Sequence, residues 1–191
     1  PASQELFRNP QKYDLDTNKI ISVGRLSYPK NFMRLLKIAN DLKRKNKEWH
    51  WDIYGEGEER EKLEKEITRL ELTEYVTLKG AVNDIYSRYH SYMAIVMTSR
   101  YEGFPMALIE GAANGLPMIA FDIKTGPKEI IKSGENGFLI NKEDDESMVN
   151  AINALLQDKK LRLKMSESAQ KSAQAFRMEN ILPLWEDLMR F

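Results

Sequence analysis

Two carboxylates eight positions apart, Glu102 and Glu110, stand in the stretch SRYEGFPMALIEGAANGLPMIAF, residues 99–121. Between Pro105 and Phe121, Glu110 is the sole charged residue. Pro105 suits the first position of a helix, because its missing N–H would lack a partner there anyway. Phe104 is then the N-cap, and a phenyl ring cannot accept a hydrogen bond. The amides of Met106 and Ala107 are left open behind a flexible Gly103, which is the make-up of an anion site. Glu110 follows Met106 by four residues and Ala107 by three, so it shares their helix face one turn, ~5 Å, further in. A carboxylate there can accept hydrogen bonds from vicinal hydroxyls such as those of a ribose. Glu102, in the loop before the helix, falls on the other side of the anion. The ligand this spacing describes is sugar, diphosphate and nucleoside, in that order. The plain structural alternative is a buried helix glutamate paired to a neighbouring base, after a solvated loop glutamate.

A second group lies in VGRLSYPKN, residues 23–31. Arg25 follows an apolar run and Lys30 opens the next helical stretch. Two cations at one edge can neutralise a diphosphate leaving group without a metal. Each alone reads equally as a surface charge.

These residues need elements to hold them. The β-branched run KIISVG (19–24) predicts a buried strand. Apolar residues at Phe32, Leu35, Leu36, Ala39 and Leu42 predict a helix from Lys30 to about Asn46. Strands are expected at 49–55, 75–80, 92–99, 116–121 and 137–140. Helices are expected at 58–72, 83–90, 105–114 and 127–134. After Asp144 the pattern is helical, with segments at 145–157, 159–175 and 178–190, the last containing Trp185. Strands alternating with helices imply an α/β fold, a Rossmann-like parallel sheet of about six strands with helices on both faces. Ligands bind such sheets at the carboxyl ends of the strands. Arg25, Lys30, Val82 and Glu102 all follow predicted strands. Residues 1–18 read as a polar lead-in, and 19–191 as one nucleotide-sugar-binding domain.

Taken together, SVGRL, YGEGEER, SRYEGFPMALIEGAANGLPMIAFD and GPKEIIKSGENGFLI resemble the C-terminal, donor-binding half of GT-B glycosyltransferases of the retaining GT4 type. The likeness runs from about Asn9 to the C-terminus, and the two glutamates with seven residues between them match the family's signature. The resemblance implies that Arg25 and Lys30 bind the donor diphosphate and that Glu110 binds ribose hydroxyls. It implies that Glu102 and the backbone of Gly103, Phe104 and Pro105 meet the donor sugar. Met106 and Ala107 would offer amides to phosphate, and the backbone at Ala81–Val82 would touch the base. No cofactor or metal is implied; a nucleoside-diphosphate sugar is the substrate. A missing N-terminal lobe would carry most of the acceptor site, so that this half alone is expected to be inactive. Two positions depart from the family: Asn31 stands where Gly is usual, and Gly111 where Ala is common.

Rival readings have weaker support. Asp14-Leu15-Asp16 is a D-x-D of the kind that holds a divalent ion on a diphosphate, but it precedes a strand instead of following one. YGEGEER has Arg60 where a dinucleotide fingerprint wants a third glycine. A sugar-nucleotide epimerase of the same fold is the nearest enzyme alternative, and a non-catalytic nucleotide-sugar-binding partner is another. His50 and His90 read as packing or surface histidines. The chain has 191 residues, with 29 Lys+Arg against 29 Asp+Glu, which argues against a nucleic-acid surface. It has no cysteine, which excludes disulfides and thiolate metal sites. A cytoplasmic protein is expected, with peripheral contact at the inner membrane face through Lys159, Lys160, Arg162 and Lys164 as a further option; a solvated helix face is the plainer reading of that cluster.

Overall fold

β1 (Lys19–Val23) sends Ile20 to one face of a sheet and Ile21 to the other, and both are fully buried. That is the signature of a strand covered by helices on both sides. β2 (His50–Tyr54), β3 (Val76–Gly80), β4 (Ala94–Met97), β5 (Met118–Asp122) and β6 (Gly137–Asn141) complete a six-stranded sheet in the order β3-β2-β1-β4-β5-β6. Every neighbouring pair is parallel. In register, Ile21 stands beside Asp52 and Ile95. The computed structural model describes residues 13–180 and 182.

α1 (Phe32–Lys45), α2 (Arg60–Arg69) and α5 (Asp145–Gln157) cover one face, packing Leu35, Leu36, Leu63, Ile152 and Leu155 with Trp51, Val96 and Phe121. α3 (Met106–Ala113), α4 (Pro127–Ile130) and the later part of α6 (Lys159–Ala173) cover the other, around Tyr89, Ile95, Leu108 and Ala169. α3 rests directly on β4: a Cβ added at Gly111 would lie 2.8 Å from Ile95 Cγ2. The departure at Gly111 therefore matches the β-branched residue beneath it. Asp158 caps α6 by accepting from the amides of Lys160 and Leu161.

Several element bounds shift by a residue or a few, and three differences have a clear local form. The helix at 83–90 is a 3-10 segment, Tyr86–Ser91, a tighter turn that brings the chain straight down into β4. α4 stops at Ile130, because the Asn136 side chain accepts from the Lys132 amide and donates to the Ile130 carbonyl in place of further helical bonds. α6 ends at Ala173 and tightens into the 3-10 turn Gln174–Phe176. Most of the helix expected at 178–190, Trp185 included, and residues 1–12 of the lead-in lie outside the described residues. The rest of the lead-in is tied down by Arg162, which is fully buried and donates to the carbonyls of Leu15 and Thr17 at 2.8 and 2.6 Å. Arg162 therefore does not belong to the exposed basic face expected of Lys159, Lys160, Arg162 and Lys164. Among the described residues no helix is long and apolar enough to cross a membrane.

Candidate functional site

The chain winds outward from β1 towards β3, returns, and winds the other way from β4 to β6. At the β1/β4 boundary the helices that follow, α1 and α3, pack on opposite faces of the sheet, and sheets of this kind bind ligands in the crevice outside the strand ends at such a switch point. The β1 loop carries Lys30 at the end of a 3-10 turn, Tyr28–Lys30. Its stem runs across Gly24, where an added Cβ would lie 3.1 Å from Lys30 Cε. Asn31 follows with φ 57 and ψ 41, the left-handed conformation that Asn tolerates better than most residues other than Gly. The departure at Asn31 thus keeps the turn that delivers Lys30.

Lys30 Nζ donates to Glu102 Oε1 at 2.6 Å, and Ser99 Oγ donates to the same oxygen at 2.6 Å. The Glu102 side chain is 9% exposed and that of Lys30 26%. The two loops are stitched together around this pair. The Arg100 amide donates to the Pro29 carbonyl at 2.8 Å, and the Thr98 hydroxyl lies 3.3 Å from the carbonyls of Lys30 and Asn31. The loop after β5 closes the third side. Thr125 Oγ1 donates to the Glu102 carbonyl at 2.7 Å, and Gly126, at φ 101, leaves room for the Pro105 ring.

α3 begins one residue later than the sequence suggests. Pro105 is the N-cap, with ψ 76, and Met106 is the first helical residue. The Met106 amide donates back to the Phe104 carbonyl at 2.9 Å in a tight three-residue turn, so it is engaged and not open as expected. No side chain among the described residues caps the helix. Among the described residues nothing accepts from the Ala107 amide, which remains as the expected open donor.

One turn into α3, Glu110 meets two phenols. Tyr89 Oη donates to Oε2 at 2.9 Å, and Tyr86 Oη lies 3.4 Å from Oε1. Burial pushes the Glu110 carboxyl above its ordinary range, and the two phenols pull against that rise. Burial, followed by the charge on Glu110, pushes the Tyr89 phenol well above its usual range, so it stays protonated and donating. Sequence reasoning singled out neither tyrosine. Their spacing, three residues apart before a strand, carries the signal of core packing only. Val82, Tyr86 and Ala107 border the same buried cluster, which brings the loop after β3 to this end of α3.

The remaining candidates are placed differently. Arg25 is exposed, and its guanidinium pairs with Glu58 at 3.1 Å. Gly103, Phe104 and Met106 are exposed. Asp14 and Asp16 precede β1, at the amino end of the strands and away from the crevice, and Asp16 pairs with Lys159 at 2.6 Å. Among the described residues, no three or more His, Asp or Glu side chains gather as a metal site. His50 opens β2, where its ring nitrogens meet the Glu74 carbonyl and Thr77 Oγ1, and Nε2 lies 3.3 Å from Asp52 Oδ1. His90 precedes β4 and contacts Ser91. Both histidines therefore sit by the amino ends of the strands.

The profile of the family described as glycosyl transferases group 1 matches residues 3–172. The chain belongs to that family. It is 38% identical over 172 residues to the amylovoran biosynthesis glycosyltransferase AmsD of Erwinia amylovora, covering 90% of this chain and 48% of AmsD. It is 30% identical to the poly(glycerol-phosphate) alpha-glucosyltransferase of Bacillus subtilis, covering 87% of this chain and 25% of that protein. Its fold superposes with a TM-score of 0.92 on a mutant of S. aureus TarM in complex with fondaparinux, alpha-GlcNAc-glycerol and UDP. That match has 27% identity and covers 97% of this chain and 38% of TarM. The pneumococcal O-GlcNAc transferase GtfA in complex with UDP and GlcNAc gives a TM-score of 0.81 at 27% identity, covering 93% of this chain and 37% of GtfA. The chain thus spans half or less of the length of these relatives.

Proposed function

We propose that this chain is the donor-binding half of a retaining glycosyltransferase. It would move a sugar from a nucleoside-diphosphate sugar to a saccharide or lipid-linked acceptor in cell-surface polysaccharide or glycolipid synthesis. The observation that carries the reading is the direct contact of Lys30 with Glu102, 72 residues apart in sequence, beside an uncapped helix start at the switch point of the sheet. A cation suited to phosphate and a carboxylate suited to a sugar then stand side by side, with Glu110 one turn along for the ribose.

In this reading Lys30 and Arg25 neutralise the diphosphate, and the Ala107 amide adds a donor at the helix start. Arg25 leaves Glu58 to do so; an exposed, solvent-screened ion pair holds it only weakly. Glu102, with the backbone of Gly103, Phe104 and Pro105, orients the sugar. The backbone near Val82 meets the base. The bond from the anomeric carbon to the diphosphate oxygen breaks on the face where the acceptor oxygen arrives. The acceptor's proton passes to the leaving diphosphate, so configuration is kept. Glu102 stabilises the positive charge that develops on the sugar and forms no bond to it. No metal enters this scheme. A second lobe supplies the acceptor site, in keeping with the share of its relatives that the chain spans. The reaction is assigned to the cytoplasmic side of the membrane, where a lipid-linked acceptor would be met.

Calorimetric titration with UDP, GDP, ADP and CMP, repeated on Glu110→Ala, tests the reading. One diphosphate is expected to bind and to be lost in the variant. Failure of every nucleotide to bind both this chain and a complete two-lobe protein would overturn it.

A further inference from the structure

We propose that Tyr89 is the positioning residue for Glu110: its buried hydroxyl fixes one carboxylate oxygen, Oε2, and thereby presents the other to the ribose of the donor. The inference rests on the donor-site reading above and adds a residue to it.

Tyr89 is fully buried, and its hydroxyl reaches Glu110 Oε2 at 2.9 Å. A phenol has one proton to give, so that hydrogen bond commits it to Oε2. Tyr86 is half-buried, and its oxygen is 3.4 Å from Oε1, beyond the usual 2.7–2.8 Å of a hydroxyl donor. Oε1 therefore keeps accepting capacity for incoming hydroxyls. The other end of the device is equally fixed. The Glu110 carbonyl accepts from Asn114 Nδ2 at 2.9 Å, and Gly111 seats the next residue of α3 on Ile95.

A merely structural account has the glutamate present to satisfy the tyrosine. That account fails on energetics. A neutral amide or a backbone carbonyl would satisfy a buried phenol without the desolvation of a carboxylate. A carboxylate retained on an otherwise apolar helix, against its own burial, fits a group that must face a hydroxylated ligand. The tyrosine offsets part of that desolvation while leaving the ligand-facing oxygen available.

The test is Tyr89→Phe, which keeps the ring and removes the oxygen. UDP is the probe, titrated against wild type, Tyr89→Phe, Glu110→Gln and the double variant, with thermal unfolding of each as a control for folding. Tyr89→Phe is expected to weaken UDP about tenfold. The acid limb of the pH profile of UDP binding should move to higher pH, because the phenol's hydrogen bond favours the ionised carboxylate. In the Glu110→Gln background, removing the hydroxyl should change UDP affinity by less than about twofold, because the residue acts through Glu110. The inference is overturned if wild type and Tyr89→Phe bind UDP alike with the same acid limb. An equal loss in both backgrounds also overturns it. If the four proteins bind none of UDP, GDP, ADP and CMP, either as this chain or as a complete two-lobe protein, the donor-site reading itself falls and this inference with it.

Discussion

Lys30 and Glu102 form an ion pair that the proposed donor must open. The carboxylate is almost covered, and removing one partner of a buried pair leaves an uncompensated charge. Ser99 softens this, because its hydroxyl stays on Glu102 Oε1 when Lys30 turns to a diphosphate. Glu102→Gln is accordingly expected to leave UDP binding intact or tighter, since Lys30 is no longer shared with a fixed negative charge. Sugar transfer by the complete protein should fall at least about 100-fold. Lys30→Ala should instead weaken UDP about tenfold or more. Calorimetry paired with a transfer assay separates the two residues. Equal losses of UDP affinity would refute their division of labour.

A second residue-scale prediction concerns His50 and Asp52. The Asp52 carboxylate, 3.3 Å from Nε2, is the main cause raising His50 above the usual imidazole range. Burial pushes the Asp52 carboxyl up, but the adjacent His50 ring and the Tyr92 hydroxyl that donates to Oδ2, with Lys79 nearby, bring it below the usual carboxylate range. A raised folded-state value for His50 means its contribution is complete below about pH 6.5 and disappears as pH climbs through that raised value. The lowered Asp52 adds stability above about pH 4 that is lost as pH falls through its folded value. The stability gap between wild type and His50→Gln should therefore be widest between those limits. Urea unfolding from about pH 3 to pH 9 measures it, and a gap independent of pH would refute the pairing.

At the scale of elements, α3 is held by its contact with β4. Gly111→Ala drives a methyl group into Ile95 Cγ2 and should destabilise the chain by about 1–3 kcal/mol, read by denaturant unfolding. Asn31→Ala keeps the space but not the tolerance for left-handed backbone, and should cost about 1 kcal/mol, while Asn31→Gly should be close to neutral. The strands were legible because short β-branched or apolar runs such as KIISV and AIVM hold residues buried on both faces. The α5–α6 junction was legible because Asp158 is a capping residue in place. The start of α3 was misread by one residue. A proline's φ suits both the N-cap and the first helical position, and the ψ that decides is set by the Met106–Phe104 turn. The link from Tyr89 to Glu110 crosses a strand and 21 residues, so no local pattern encodes it. Arg162 looked exposed because lysines surround it in sequence, and its carbonyl partners lie more than 140 residues away.

At the scale of the whole molecule, the sheet separates two ends. The carboxyl ends of the strands carry Lys30, Glu102 and the start of α3, whereas the amino ends carry the lead-in and Arg162. Rigid strands joining the two ends let one be stabilised without reshaping the other. Arg162 is the sharpest probe of this division. It is fully buried, and it satisfies the carbonyls of Leu15 and Thr17. Arg162→Ala strips both carbonyls of their charged donor and opens space beside Met93, whose sulfur lies 3.7 Å from the guanidinium. A loss of about 3 kcal/mol follows from two half-buried carbonyls stripped of a charged donor and the space left beside Met93, which for a domain of this size lowers the unfolding midpoint by roughly 6–12 °C. UDP affinity at a temperature where the variant remains folded should stay within about twofold of wild type, since no crevice residue touches the altered site. A fall in affinity matching that of Lys30→Ala would mean instead that the lead-in end and the crevice end are one coupled unit.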